Sequence, residues 1–337
     1  MAHQTTIVEN GMTYNVTEFD HTAQEIDDAV SNLGGASTPQ GAIAALGAGV
    51  RPKLNDNPFF LINQRGQNSY TGARYGPDRW RVTGSHRLDM LDGGGVKLTV
   101  VSSSNANQMI QQYLEPEIFE RLNGKQVTLA VIVTENSMSL PTHFRVGNAA
   151  YGNIPAGQTG LFFATATINY NTGQNYIGFQ CSDRANQNGQ SISLRAFTME
   201  EGSIQTLGYQ DSSGVLQLLE HPGPLEVLKC QRYQFTFANA MSIRASRITN
   251  SEINFFIPLP TGLRTTPTIV NAQNLQVYSP TGGAAQTGFA FSCPSGSAAF
   301  GNGVTIVATK SSHGLQDAFL YTNTPGGANL ITLDANL

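Results

Sequence analysis

Charge is what this sequence has least of. Only 12% of its residues are charged, well under the usual quarter, and they leave a net charge of −4. A nucleic-acid binder needs clustered Lys and Arg to neutralise phosphates; no such cluster occurs, so no nucleic-acid partner is expected. Cysteine is scarce as well. Cys181, Cys230 and Cys293 are far apart, odd in number and without C-x-x-C spacing, which argues against a disulfide framework or a zinc site. Isolated thiols suit a chain made in a reducing cytoplasm. The six histidines are scattered, with no i, i+4 pair and no H-x-E signature, so neither a metal nor a cofactor is expected. Apolar runs are short, as at Leu129 to Val133, so no membrane insertion is expected. The stretch Met1-Ala-His-Gln-Thr-Thr-Ile-Val-Glu-Asn has no apolar signal region, and no secretory peptide is expected either.

Uncharged polar residues fill the gap. Gly, Ser, Thr, Asn and Gln are abundant, yet 40% of the chain is hydrophobic, enough to fold rather than stay disordered. A chain of 337 residues predicts two domains and a lead segment. In the lead, Met1 to Val16 reads as a strand or extended arm. Thr22-Ala-Gln-Glu25 reads as a capping box, and Ile26, Ala29, Val30 and Leu33 follow as one apolar stripe stopped by Gly34-Gly35. A second small helix starts at Thr38-Pro39. Helices this short need a partner, either the chain's own body or the same helix of neighbouring copies.

From Asn55 onward the period is two. The fold class expected is mainly β: a short N-terminal helical segment (residues 1–54), then two antiparallel β-sandwich, jelly-roll-like domains (residues 55–222 and 223–337). In the first, Phe59, Phe60 and Ile62 form an apolar cluster before the polar turn Asn63 to Asn68. Trp80, the only tryptophan, reads as a core residue, with Arg79 and Arg81 pointing away from it by strand alternation. Strands are predicted at Val96 to Val101, Val127 to Val133 and Ser191 to Phe197. A helix runs from Pro116 to Gly124, and Leu161 to Tyr170 with Tyr176 to Cys181 reads as a hairpin. Glu200 to Pro224 reads as a polar connector. A short helix follows at Leu225 to Cys230, then a second β set from Tyr233 to Tyr321.

Three stretches carry a resemblance. Asn57-Pro…Asn63-Gln-Arg-Gly…Tyr70-Thr-Gly…Asp78-Arg-Trp resembles the start of the carbohydrate-module-like jelly roll of phage and prophage tail-fibre proteins. Arg195-Ala-Phe-Thr-Met-Glu-Glu-Gly-Ser with Leu225-Glu-Val-Leu-Lys-Cys-Gln-Arg-Tyr233 is similar to the same group. So is Phe256-Ile-Pro-Leu-Pro…Arg264-Thr-Thr-Pro-Thr-Ile269, and the three occur in the expected order. The resemblance implies a virion structural protein mediating adhesion to host cell-surface glycans. It would be a homotrimer attached to a tail or baseplate protein through the N-terminal segment. The other functions open at this point are a polysaccharide depolymerase and a non-binding decoration or baseplate spacer protein. No catalytic residue carries over.

The residues themselves hold little catalytic chemistry. Glu115, Glu117 and Glu120 cluster, as do Glu200 and Glu201. Paired carboxylates can cleave glycosides, but helix starts and strand exits commonly hold acids for other reasons. Asp89 and Asp92-Gly have oxygen ligands for calcium, with a polar turn the simpler reading. His221 and Cys230 lack an orienting acid. Exposed tyrosines are the better lead. Tyr70 and Tyr75 are expected in loops of the first domain. The binding site is placed in the second, where Tyr278, His313 and Tyr321 flank small polar loops between strands.

Overall fold

The computed structural model describes residues 6–9, 12–15, 51–102, 108–170, 174–181, 188–210, 213–219, 224–237, 242–279, 285–295, 303–315, 318–322 and 331–336. The helices expected over Thr22 to Leu33 and after Thr38 lie outside these residues. The extended arm is a hairpin of β1 (Thr6–Glu9) and β2 (Met12–Asn15).

Among the described residues, the first sandwich contains twelve strands. In chain order they are β3 (Ser69–Thr71), β4 (Arg74–Tyr75), β5 (Arg81–Val82), β6 (His86–Met90), β7 (Val96–Val100) and β8 (Gln108–Tyr113). After helix α1 (Pro116–Leu122) come β9 (Gln126–Asn136), β10 (Thr142–Val146), β11 (Ala149–Ile154), β12 (Gly160–Thr167), β13 (Tyr176–Cys181) and β14 (Ser191–Glu201). Sheet I has the order β12-β9-β14-β7-β6-β3 and sheet II the order β11-β10-β13-β8-β5-β4. Apart from the hairpins β4–β5, β6–β7 and β10–β11, each connection changes sheet, which is the crossing pattern of a jelly roll. That pattern overturns the hairpin expected around residues 171–173: β12 pairs with β9 and β13 with β8 and β10, so the link carries the chain between sheets.

The core lies between the sheets. Trp80 is fully buried, with ring centroids 5.0 Å from Phe60 and 5.4 Å from Phe197. Its indole donates to the Asn57 carbonyl at 2.9 Å, so burial leaves no orphan donor. Phe59 and Phe60 do not share one cluster, contrary to expectation. Phe60 takes a left-handed φ of 56° and turns into the core. Phe59 joins Ala130, Ile132, Ala196 and Leu207 on the far side of sheet I. Arg79 does not sit opposite Trp80 on a strand either. It precedes β5 in a turn with φ 73° and is 1% exposed. Gly66 does have the positive φ expected of it, 66°, and closes the turn by donating to Asn63.

Glu200 to Pro224 is more than a polar connector. It holds a hairpin of β15 (Gly208–Gln210) and β16 (Leu216–Leu218), and Leu207, Leu216 and Leu218 cover the outer face of sheet I. For that reason β9 and β14 are buried on both faces, and the alternation expected of β14 is lost. The chain joins this sandwich by Arg51. The Lys53 amine reaches Glu200 at 2.6 Å, and Leu54 packs on the core.

In the second sandwich, α2 (Pro224–Gln231) leads to β17 (Gln234–Phe237), β18 (Ser242–Ile248), β19 (Glu252–Pro258) and β20 (Thr268–Val270). Then come β21 (Leu275–Tyr278), β22 (Ala285–Gln286), β23 (Ala290–Ser292), β24 (Gly303–Thr309), β25 (Phe319–Thr322) and β26 (Ile331–Asp334). A three-stranded sheet, β17-β26-β20, shares one core with the seven-stranded sheet β22-β21-β25-β18-β19-β24-β23. Phe237, Ile331 and Leu333 meet Phe255, Ile257, Val277, Ile306 and Leu320 there. Polar contacts join the sandwiches. Arg65 pairs with Asp334 at 2.9 Å, Gln64 donates to the Gln234 carbonyl at 2.9 Å, and the Tyr233 hydroxyl donates to Glu115 at 2.7 Å.

Candidate functional site

A cavity of about 600 Å³ opens at one end of the first sandwich, lined by Phe119, Val146, Gly147, Asn148, Ala149, Tyr151, Asn169, Tyr170 and Gln174. Three elements build it. Helix α1 ends its only two turns against the core and offers Phe119, whose ring centroid lies 6.4 Å from that of Tyr170. The β10–β11 turn supplies Gly147 and Asn148. Gly147 has a φ of 55°, and a Cβ there would stand 2.9 Å from the Gln174 carbonyl, so only glycine lets this turn close onto Gln174. The end of β12 supplies Asn169 and Tyr170, held by the Tyr170 amide donating to Asn123 at 3.0 Å. Tyr151 is fixed by its hydroxyl, which donates to the Thr167 carbonyl at 3.2 Å.

None of these nine lining side chains is charged. Aromatic faces alternate with amides, a surface suited to polyhydroxylated ligands whose C–H faces stack and whose hydroxyls need donors and acceptors. The outer face of sheet II continues it. The Tyr176 hydroxyl donates to Asn148 at 2.8 Å, and the Tyr176 ring lies 5.5 Å from that of Tyr113. Strand register then sets Arg81, Gln111, Gly178 and Arg145 in one row across that face. Arg145 Nε and Gln180 Oε1 on the face are buried without partners.

The residues expected to bind lie in the other sandwich. Tyr278 ends β21 opposite Phe319, and Tyr321 is opposite Gln276; the Tyr321 side chain is outside the described residues. His313 follows β24, accepts the Leu315 amide at 3.1 Å and packs against Phe289 at 5.8 Å. A cavity of about 300 Å³ in the same sandwich is lined by Gln273, Gln276, Gln286, Thr287, Phe289 and Phe291 among others. None of the three predicted residues lines it, but Gln276 and Phe289 connect it to two of them. Tyr70 and Tyr75 are not loop residues. Tyr70 is 1% exposed in β3, donating to Asn63, and burial raises its pKa. Tyr75 is half-buried in β4 under the Arg65 guanidinium. Sequence missed the first cavity because its aromatics fall in three separate segments; the Asn169-Tyr170 pair beside the Asn-Thr-Gly turn was its one visible sign.

Several of the acids have neighbouring donors. Glu115 accepts the Tyr233 hydroxyl. Buried Glu200 accepts from Lys53 and Thr206, and exposed Glu201 pairs with Arg121 and Lys125, which lower its pKa. Asp89 pairs with Arg87 and accepts from Ser69. Among the described residues no group of three His, Cys, Asp or Glu could hold a metal, and no helix is long and apolar enough to cross a membrane. Cys230 and Cys293 are free. Burial raises both thiols, Cys293 to about 11 and Cys230 further, and His221 lies outside the described residues.

No protein-family model and no curated protein matches the sequence. Among solved structures, the chain is similar to the CBM22-1 xylan-binding domain of Paenibacillus barcinonensis Xyn10C, at 12% identity, covering 46% of this chain and 98% of that one, with a TM-score of 0.29. The tandem CBM22-1–CBM22-2 domains of the same protein match at 10% identity over 85% and 97%, with a TM-score of 0.30. The CBM22-1–GH10 modules of a Clostridium thermocellum xylanase match at 11% identity over 44% and 28%, with a TM-score of 0.27. Scores this low leave the function of this chain to its own residues.

Proposed function

We propose that this protein binds neutral glycans through the end cavity of its first sandwich, and does so as an adhesion component of a phage tail fibre. The observation that carries the binding reading is the lining: two accessible tyrosine rings, Tyr151 and Tyr170, and three amides around about 600 Å³, floored by the core residue Phe119 and with no charged side chain. A site of that chemistry holds sugars by ring stacking and hydrogen bonds that no salt screens. The tail-fibre setting rests on the three sequence stretches that resemble that group. In that setting the chain is a virion protein, a homotrimer whose N-terminal segment attaches to the tail, and avidity multiplies a weak single-site affinity. Glu115, Glu200 and Glu201 are each engaged elsewhere, which favours binding over polysaccharide cleavage. A second reading places contact at the 300 Å³ cavity of the second sandwich, whose lining is also uncharged and includes Phe289, the ring His313 packs against. A glycan array probed with the full chain tests the proposal. Retention of neutral oligosaccharides, insensitive to salt, is expected; retention of none, or release of shortened products, overturns it.

A further inference from the structure

The outer face of sheet II carries charge that the end cavity lacks, and we infer that it binds an acidic oligosaccharide, one bearing uronate carboxylates along its length. Strand register sets Arg145 of β10, Gly178 of β13, Gln111 of β8 and Arg81 of β5 side by side across this face. Three strand spacings, about 14 Å, separate the two arginine backbones. Gly178 offers no side chain between them, and Gln111 is 4% exposed although it points outward. The row is therefore low in the middle, with a guanidinium at each end. The partly exposed Tyr113 ring lies two residues along β8 on the same face, where its hydroxyl accepts from the Gln111 amide at 3.1 Å. Among the described residues neither Arg81 nor Arg145 makes a hydrogen bond or an ion pair. Of their side-chain nitrogens only Arg145 Nε is buried; both Nη atoms of Arg145 and all three nitrogens of Arg81 reach the surface.

The other charged groups at this face do not neutralise them. At the β4 end Arg65 pairs with Asp334 and Arg79 with Asp56. Buried Asp78 accepts from Gln64 there, and Arg74, exposed and unpaired on β4, offsets its charge. Tyr75 beside Arg81 is a neutral phenol whose pKa burial raises. On β10, His143 engages the Gly152 carbonyl at 3.1 Å. Residues 103–107 and 171–173, which lead into β8 and β13, are uncharged, and after β13 Asp183 and Arg184 have opposite signs. Two guanidinium groups thus stay open to solvent. A neutral sugar leaves them unused, whereas a carboxylate accepts from a guanidinium with both oxygens. Two such groups on one line favour a linear ligand with acids in series over a single small anion, and Tyr113 offers its ring to the sugar C–H faces. Two arginines are too few for the run of phosphate contacts that a nucleic acid needs.

Isothermal titration of the full chain with oligogalacturonate, monomeric galacturonate and poly-glutamate tests this. Oligogalacturonate should bind about tenfold tighter than either of the others. Arg145→Gln and Arg81→Gln, each made alone, should weaken it about fivefold or more. Both should leave the melting temperature of the free protein within about 2 °C, and if one fails to fold the other decides. Raising salt should weaken binding as well. No binding of oligogalacturonate at about 1 mM, equal binding of galacturonate or poly-glutamate, or wild-type affinity in a folded arginine variant would each overturn the inference. A neutral oligosaccharide titrated alongside reads the end cavity, on which this site does not rest, so loss of one ligand and not the other tells which reading has failed.

Discussion

Lys53→Ala removes one half of a buried ion pair. The Lys53 amine lies 2.6 Å from Glu200, and the two side chains are 4% and 0% exposed. Deleting one partner leaves a buried charge uncompensated, which typically costs 3–5 kcal/mol. Glu200 keeps two other donors, the Thr206 amide at 2.9 Å and the Thr206 hydroxyl at 2.8 Å, so the low end of that range applies. About 3 kcal/mol in a domain of this size lowers the melting temperature by roughly 6–12 °C. Circular dichroism melts of the full chain measure it. The double variant Lys53→Met with Glu200→Gln removes both charges, keeps an acceptor for Thr206, and should recover more than half of the loss. A Lys53→Ala shift worth under 1 kcal/mol would refute the reasoning. It would mean that the pair is solvated, and that residues 51–54 are not part of the sandwich.

Other expectations follow from the same structure. Burial raises Asp78 to about 6, against about 4 when unfolded, so the unfolded chain ionises first and stability falls as pH rises from about 4 to 6. The full effect is on the order of 3 kcal/mol by pH 7; urea midpoints should show Asp78→Asn flattening this fall, and an unchanged pH slope contradicts it. Trp80→Ala empties the centre of the first core and should cost about 3–5 kcal/mol in chemical denaturation, with a loss under 1 kcal/mol contradicting the packing. Gly178→Ala drives a Cβ into the Ile110 carbonyl, where backbone must move, and should cost about 1–3 kcal/mol in the same assay.

Much of the fold was legible, because its signals were local. Trp80 beside a strand, Pro116 opening α1, Gly66 closing a turn and the strands at 96–100 and 126–136 all depend on residues within one element. What was not legible depended on pairing at long range. The β12–β13 link looks like a hairpin turn, and only the sheet order shows it to be a crossing. Tyr70 sits in a polar stretch but is drawn into the core by β3 pairing with β6. The strands at Leu275–Tyr278 and Ile331–Asp334 are four residues each and had too little sequence to show a period. The end cavity was hidden for the same reason: Phe119, Tyr151 and Tyr170 come together only through α1, β11 and the exit of β12.

The most direct test of the central claim is titration of a neutral oligosaccharide, taken from the array, into the full chain and two of its variants. Tyr170→Ala removes a ring from the end cavity and Tyr278→Ala changes the second sandwich. The account predicts that Tyr170→Ala loses about tenfold in affinity, ~1.4 kcal/mol, while Tyr278→Ala binds like the wild type. Loss with Tyr278→Ala and none with Tyr170→Ala would contradict it and move the glycan to the second sandwich.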